Sequence, residues 1–184
     1  MTNRLFISAE IPEEIKEIVI EIRNDIYGFD KNVRWEGKEK LHLTLKFLGD
    51  VEENKTQSLI LEIENILNNY KSINCSFTNF GLFKKGNLPF ILWLGINYNK
   101  DLNSIAETIN NNFEKLGFEK EGRNFKPHLT LLRLKGREDI NRINKFLEYK
   151  LPEIKFTINE ISLMQSELLK SGSVYKQIKS FKLN

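Results

Sequence analysis

The chain has 184 residues, 40% of them hydrophobic and 29% charged, with a formal net charge of +3 from 28 basic and 25 acidic side chains. This length fits one domain or two closely packed half-size lobes, and no apolar stretch reaches the length of a membrane helix. The small net charge excludes a basic arm that coats a polyanion. The single cysteine, Cys75, excludes an internal disulfide and favours a cytoplasmic protein. The first residues do not predict a signal peptide.

The first half of the chain alternates strands with amphipathic helices. The strand "RLFIS" precedes a helix that begins at Pro12, ends at Gly28 and carries apolar residues along one face. The strand "LHLTLKFL" precedes a second helix, which the apolar spacing over residues 59–70 predicts. Two further strands, "INCSFTNFGLF" and "FILWLGI", follow this helix.

The second half continues in the same manner. A third helix runs from Leu102 to a stop at Gly117, and the strand "PHLTLLRL" comes next. A short fourth helix carries Ile140, Ile143 and Leu147 on one face, and the strands "EIKFTINEISLMQ" and "YKQIKSF" follow it. Because every helix is amphipathic, we expect each one to cover a face of a sheet.

The order of these elements forms a repeat. The strand "RLFIS" corresponds to "FILWLGI", "LHLTLKFLG" to "PHLTLLRLKG", and "INCSFTNFGLF" to "EIKFTINEISLMQ". A repeat of this length predicts a duplicated unit. We predict an α+β fold in which residues 1–184 form a single domain of two pseudo-symmetric lobes, with two antiparallel-rich sheets around a central cleft and helices outside.

Both histidines of the chain occupy the same place in the same word, "HLTL", at positions 42 and 128. Strand side chains alternate between the two faces, so His42, Thr44 and Lys46 share one face, as do His128 and Thr130 in the second strand. The alternate positions of the first strand form the predicted core face: Leu41, Leu43, Leu45 and Phe47. If the lobes are related by a two-fold axis, the two histidines face each other across the cleft.

Two paired imidazoles have a specific chemical use. One neutral ring can take a proton from an attacking hydroxyl while the protonated partner donates to a leaving oxygen, and threonine hydroxyls can hold a phosphoryl group between them. The alternative is two structural histidines on half-buried strands, which requires the same word twice by coincidence. A zinc site needs three or four ligands, and the chain has neither a phosphate-binding glycine loop nor a serine elbow.

At these residues the sequence resembles the two-histidine phosphoesterase superfamily and, within it, the bacterial and archaeal RNA 2',3'-cyclic phosphodiesterases, also called 2'-5' RNA ligases. The similar segments are "RLFISAEIP", "VRWEGKEKLHLTLKFLG", "FGLF", "FKPHLTLLR" and "LMQSELLKSGSVYKQI". The resemblance implies a bilobal fold and hydrolysis of a terminal 2',3'-cyclic phosphate on RNA to a 2'-phosphate, without a metal or another cofactor. It also implies that His42 is the proton donor and His128 the proton acceptor.

Further positions are candidates for binding the substrate, together with Thr44 and Thr130. Arg133 matches an arginine of the resembling motif, but strict alternation turns it away from His128, so it needs a bulge or a strand end to reach the site. Lys46 is expected to be a solvated surface lysine. Tyr175 and the preceding "SGS" resemble a carboxyl-terminal pattern that borders the cleft. Three phenylalanines could stack on a base or belong to the core: Phe80, Phe83 and Phe125.

Two other functions stay open at this point. One is a phosphodiesterase or ligase for other 2'-5' linked or cyclic nucleotides, and the other is a nucleotide-binding or RNA-binding module without turnover. The expected partner is an RNA or a nucleotide that ends in a 2',3'-cyclic phosphate. We expect a monomer that does not associate with a membrane.

Overall fold

Strands and helices alternate through the parts of the chain that this computed structural model describes, residues 1–97, 100–170 and 172–184. The elements in chain order are β1 (Thr2–Glu10), α1 (Glu13–Tyr27), β2 (His42–Glu52), α2 (Thr56–Leu67), β3 (Ile73–Lys85), β4 (Leu88–Ile96), α3 (Lys100–Lys115), β5 (His128–Arg133), α4 (Ile140–Glu148), β6 (Lys155–Ile158), β7 (Glu160–Leu169) and β8 (Gly172–Lys182). None of the described helices is long and apolar enough to cross a membrane.

The strands form an antiparallel sheet in the order β6-β3-β4-β5-β2-β1-β7-β8. One half of the sheet consists of β6, β3, β4 and β5, and the other of β2, β1, β7 and β8. The halves join through β2 and β5 at a single residue pair, Leu43 with Leu129. The predicted α+β class is confirmed, but this junction makes one continuous, curled sheet where we predicted two.

The strand order is symmetric about the junction between β5 and β2. Moving outward from it, β5 corresponds to β2, β4 to β1, and β3 to β7, and these are the strand pairs that the sequence repeat matches. The order is therefore the one that a duplicated unit would give. The two pseudo-symmetric lobes remain a prediction, and this order supports it.

The predicted strand "EIKFTINEISLMQ" is wrong as a single element. The chain turns at Asn159, so that β6 pairs with β3 at one edge of the sheet while β7 pairs with β1 in the other half. The Asn159 carbonyl accepts a hydrogen bond from the backbone N–H of Leu183 at 2.9 Å, which ties the turn to the end of β8. The apolar residues move from even positions up to Ile158 to odd positions from Ile161, and this change of phase marks the turn that we missed.

The helix boundaries follow the predicted signals more closely than the helix faces do. Helix α1 begins directly after Pro12 and is followed by Gly28 at φ +76°, a conformation that suits glycine. Helix α4 is capped by the Asp139 carboxylate, but it buries Ile143 and Phe146. Its predicted face is therefore partly wrong: Ile140 and Leu147 are exposed.

One hydrophobic core lies between the helices and one face of the sheet. Side chains from all four helices contribute to it, together with alternate residues of the central strands such as Leu5, Ile7 and Leu43. The opposite face of the central strands carries His42, and it is not covered by a helix. A half-covered antiparallel sheet of this kind leaves one face free to bind a ligand.

Candidate active site

Strands β2 and β5 lie side by side at the centre of the sheet and bring the two "HLTL" words together. Leu43 and Leu129 are paired on the core face. In an antiparallel register, this pairing sets His42 opposite Thr130 and Thr44 opposite His128 on the uncovered face. Two imidazoles and two hydroxyls therefore form a compact group, each histidine beside the threonine of the other word.

Each imidazole is oriented by the backbone two residues before it. The His128 ring donates from Nδ1 to the carbonyl oxygen of Lys126 at 2.6 Å, and the His42 ring is hydrogen-bonded to the carbonyl of Lys40. A carbonyl can only accept, so Nδ1 of His128 carries the proton and Nε2 of the neutral ring keeps a free lone pair. Lys40 and Lys126 are themselves equivalent positions, so the repeated word is K-x-H-L-T-L.

Aromatic rings form a wall beside His42. The Phe6 ring stacks on the imidazole with 5.0 Å between ring centroids, and the Tyr175 ring meets it edge-on at 5.4 Å. Phe6 and Tyr175 also contact each other at 5.0 Å. This apolar wall limits the rotation of the imidazole and removes water from it. The "SGS" segment beside Tyr175 begins at position 171, which lies outside the described residues.

A second aromatic wall stands beside His128. The Phe83 ring meets this imidazole edge-on at 4.9 Å, and the Trp93 ring lies 6.3 Å from it. The indole occupies the space above Gly81, where a Cβ would collide with it. The Lys126 ammonium lies 5.6 Å from the Phe83 and Trp93 ring centroids. Sequence analysis missed Trp93, because its place opposite Gly81 depends on how β3 pairs with β4.

The other two phenylalanines named as possible base-stacking residues make no ring contact with either histidine. Phe80 is buried and packs against Phe146 with 5.1 Å between ring centroids. Phe125 is partly buried against the hydrophobic core. Of the three candidates, Phe83 is the one that contacts a histidine.

Two equivalent bulges change which side chains reach the uncovered face. In β2 the pairs Ser8–Thr44 and Ile7–Lys46 leave Leu45 as an extra residue, and in β5 the pairs Trp93–Thr130 and Leu92–Leu132 leave Leu131 as an extra residue. After an extra residue the alternation of faces is inverted. The bulge in β5 therefore turns Arg133 to the face of His128. Without a bulge, strict alternation would have placed Arg133 on the opposite face.

The bulge in β2 makes two of our predictions for that strand wrong. Lys46 is buried, with 2% of its surface exposed, and its ammonium donates to Asn110 Oδ1 at 2.8 Å and to the Glu119 carbonyl at 2.7 Å. Phe47, assigned to the core face, is 61% exposed on the uncovered face. Phe47 contacts Phe6 at 6.1 Å, and it occupies the position equivalent to Arg133 in the other strand.

Glu36 holds the cations at the edge of the site. Its carboxylate pairs with Arg133, with 3.2 Å between Nε and Oε1, and with Lys40, with 3.8 Å between Nζ and Oε2. The Glu36 backbone N–H donates to the carbonyl of Leu131, the extra residue of the bulge, at 2.9 Å. Sequence reasoning missed Glu36, although it lies in "VRWEGKEK", directly before the first histidine word.

The environment of both histidines lowers their pKa and so favours the neutral form in the unliganded protein. Burial, followed by the charge of Lys16, lowers the pKa of His42 from 6.5 to about 4. Burial also lowers the pKa of His128, with smaller contributions from the charges of Lys126 and Arg133. Lys16 is buried on α1 and pairs with Glu13 at 2.7 Å. Sequence analysis did not single out this lysine.

The described part of the chain contains no cluster of three or more histidine, cysteine, aspartate or glutamate side chains that could hold a metal ion. Cys75 is buried away from the site, and burial raises the pKa of its thiol to about 11, so it is not a reactive nucleophile at neutral pH. The chemistry available from these side chains is proton transfer by the imidazoles and anion binding by the hydroxyls and Arg133.

An antiparallel sheet that carries two H-x-T-x strands side by side on its uncovered face has the architecture of a two-histidine phosphoesterase. The chain belongs to the 2'-5' RNA ligase superfamily, whose family model matches residues 11–168.

Relatives and solved structures match the chain over almost its whole length. It is 33% identical to an RNA 2',3'-cyclic phosphodiesterase of Methanocaldococcus jannaschii, with 97% of this chain and 99% of that protein covered. It is 29% identical to an RNA 2',3'-cyclic phosphodiesterase of Methanothermobacter thermautotrophicus, and both chains are covered completely. Its fold is similar to that of E. coli LigT complexed with 3'-AMP, with a TM-score of 0.79, 24% identity, and coverage of 100% and 99% of the two chains.

Proposed function

We propose that this protein is an RNA 2',3'-cyclic 3'-phosphodiesterase, which hydrolyses a terminal 2',3'-cyclic phosphate to a 2'-phosphate. The observation that carries the proposal is the position of His42, Thr44, His128 and Thr130 together on the uncovered face of β2 and β5. Membership of the superfamily and the names of the full-length relatives support the same reaction.

The proposed reaction is an in-line displacement at phosphorus. His128 takes a proton from the attacking water, whose oxygen forms a bond to phosphorus, and His42 donates a proton to O3' as the P–O3' bond breaks. The tautomer of His128 suits the role of base, because its Nδ1 proton is held by the Lys126 carbonyl and its Nε2 is free to accept. His128 gains one proton and His42 loses one in each turnover, so an exchange of protons with water restores both rings.

The hydroxyls and the guanidinium would stabilise the phosphoryl group. Thr44 and Thr130 can donate hydrogen bonds to the two non-bridging oxygens, on which negative charge increases in the transition state. Arg133 supplies a positive charge at the edge of the same face, where Glu36 fixes its direction. We propose these three residues as substrate-binding groups.

The donor role of His42 requires that its pKa rise when the substrate binds. At a pKa of about 4, the His42 ring is almost entirely neutral at pH 7 in the unliganded protein. An anionic phosphate beside the imidazole favours the protonated form and opposes the effect of burial. The substrate would therefore create the acid that its own cleavage needs.

A panel of substrates tests the proposed function. The purified protein is incubated with an oligonucleotide that ends in a 2',3'-cyclic phosphate, with a 2'-5' linked oligoadenylate and with a 3'-5' linked dinucleotide. We expect hydrolysis of the first substrate with the highest kcat/KM. Faster cleavage of the 2'-5' linkage would favour the alternative phosphodiesterase, and binding without turnover of any of the three would favour a binding module. The expected monomeric state and cytoplasmic location remain predictions.

A further inference from the structure

A groove opens on the uncovered face next to the histidine pair. Its volume is about 670 Å³, within the range of roughly 300–1,000 Å³ that is typical of ligand pockets. It lies between the segment at residues 34–40, the end of β5 and the hairpin of β7 and β8. Phe6 and Tyr175, which contact His42, also line this groove, so the groove and the catalytic candidates share one wall.

The groove concentrates positive charge far beyond the average of the chain. Two acidic side chains, Glu36 and Glu138, stand among its lining residues. The Glu36 carboxylate is paired with two cations, and Glu138 Oε2 accepts from the backbone N–H groups of Lys135 and Arg137. Seven cationic side chains line the groove, against these two acidic ones: Arg4, Arg34, Lys40, Arg133, Lys135, Arg137 and Lys170.

Most of these cations have no anionic partner. Among the described residues, five of the seven form no ion pair: Arg4, Arg34, Lys135, Arg137 and Lys170. All five are exposed. A protein of net charge +3 that gathers unpaired cations in one groove provides a site for a polyanion.

Aromatic side chains lie between the cations. Phe47 is 61% exposed within the groove, and the rings of Trp35 and Tyr175 line it as well. An exposed phenylalanine is costly to leave in water, whereas a base can stack on it. Alternating cations and aromatic rings along a groove are typical of sites for single-stranded nucleic acid.

We propose that this groove binds the single-stranded RNA on the 5' side of the terminal cyclic phosphate, and that the enzyme therefore selects oligonucleotides over cyclic mononucleotides. This inference rests on the proposed function, because the histidine pair fixes where the terminal phosphate lies. The cations would contact the phosphates of the preceding nucleotides, and Phe47 would stack on a base.

The first test compares substrate lengths in a charge variant. We expect the double variant Arg34→Ala/Arg137→Ala to lose at least tenfold in kcat/KM on a pentanucleotide that ends in a 2',3'-cyclic phosphate, and less than twofold on the cyclic mononucleotide. The slope of log kcat/KM against log salt concentration should fall by roughly 1.4, since each phosphate contact on a single strand contributes about 0.7. Equal losses on both substrates would overturn the proposal.

A matched variant controls for net charge. Lys115 and Lys145 are exposed on α3 and α4, away from the groove, and the double variant Lys115→Ala/Lys145→Ala removes the same charge. We expect it to retain wild-type kcat/KM on the pentanucleotide within twofold. An equal loss in this control would mean that overall charge, and not the groove, attracts the RNA, and it would contradict the proposal.

A binding measurement separates the groove from the reaction. Fluorescence anisotropy with a labelled pentanucleotide that ends in a 2'-phosphate requires no turnover. We expect Arg34→Ala/Arg137→Ala to weaken this binding at least tenfold. We expect Phe47→Ala to weaken binding of the complete pentanucleotide more than binding of a pentanucleotide whose penultimate nucleotide lacks its base. If the wild type hydrolysed no cyclic phosphate but this difference persisted, the proposed function would fail and the groove would stand. Unchanged binding in both variants would refute the groove alone.

Discussion

The two imidazoles have the same backbone support but different charges around them. Both are oriented by a carbonyl two residues earlier, yet the charge of buried Lys16 acts on His42, whereas Lys126 acts on His128. The ring that the resemblance assigns as proton donor is thus the one whose pKa is lowered to about 4. The phosphate must supply the electrostatic change that makes this ring an acid.

Removal of the Lys16 charge should raise the pKa of His42. We expect Lys16→Met to move it from about 4 toward 6.5 without reaching that value, because burial, the largest cause of the shift, remains. The measurement is an NMR titration of the imidazole resonances. Lys38→Met is the control, since Lys38 also pairs with Glu13 but does not act on His42. An unchanged His42 pKa in Lys16→Met would contradict this explanation.

Substitution of either histidine should remove most of the activity. We expect His42→Ala and His128→Ala each to lower kcat at least a hundredfold, in the range of about 10²–10⁴ that general acid–base catalysis contributes. Thr44→Ala and Thr130→Ala should lose less, because both proton transfers remain possible. Steady-state kinetics on the cyclic-phosphate oligonucleotide measures these effects, with circular dichroism to verify the fold. Near-full activity in either histidine variant would exclude the paired mechanism.

The pH dependence should differ between kcat/KM and kcat. The maximum of kcat/KM should lie below pH 6.5, because it reports the unliganded protein, in which the pKa values of both histidines are lowered below 6.5. The maximum of kcat should lie at higher pH, since the bound phosphate favours the protonated ring. Both limbs belong to the coupled pair and not to either residue. A kcat/KM that rises steadily through alkaline pH would contradict the assignment.

At the scale of elements, the bulges in β2 and β5 determine the composition of the site. Period-two alternation correctly predicted the faces of His42 and Thr44, because these residues precede the bulge. It failed for Lys46 and Phe47, which follow it. A bulge depends on how two strands pair, so the residues of one strand do not reveal it. Arg133 was the exception, because we had noted that it could reach the site only through a bulge or at a strand end.

The buried ammonium of Lys46 should stabilise the segment that leads to His128. It donates to Asn110 on α3 and to the Glu119 carbonyl, and Asn110 in turn bonds both backbone groups of Glu121. We expect Lys46→Met to lower the free energy of unfolding by about 1–3 kcal/mol, because it removes two hydrogen bonds that a buried, charged donor makes. Urea denaturation measures this loss. Exposed Lys55→Met is the control, and equal stability of both variants would refute the role of Lys46.

At the scale of the whole molecule, the repeat in the sequence corresponds to a strand order that is symmetric about the central junction. The α+β class and the correspondence of the two histidine words could be predicted from the sequence, since both follow from local pattern and from the order of the elements. It could not predict that the halves share one sheet, because that depends on the pairing of Leu43 with Leu129, 86 residues apart. Apart from Arg133, the cations of the groove were not predicted, since they come together from β1, the segment at residues 34–40, the loop after β5 and the hairpin of β7 and β8.

The most direct test of the central claim is the identity of the product formed in H₂¹⁸O with a chelator present. We predict that an oligonucleotide ending in a 2',3'-cyclic phosphate yields a 2'-phosphate that contains one solvent oxygen, at a rate that the chelator does not change. Water would then have attacked phosphorus as the P–O3' bond broke, with the histidine pair moving both protons. A 3'-phosphate product, or activity that the chelator abolishes and a divalent ion restores, would contradict this account.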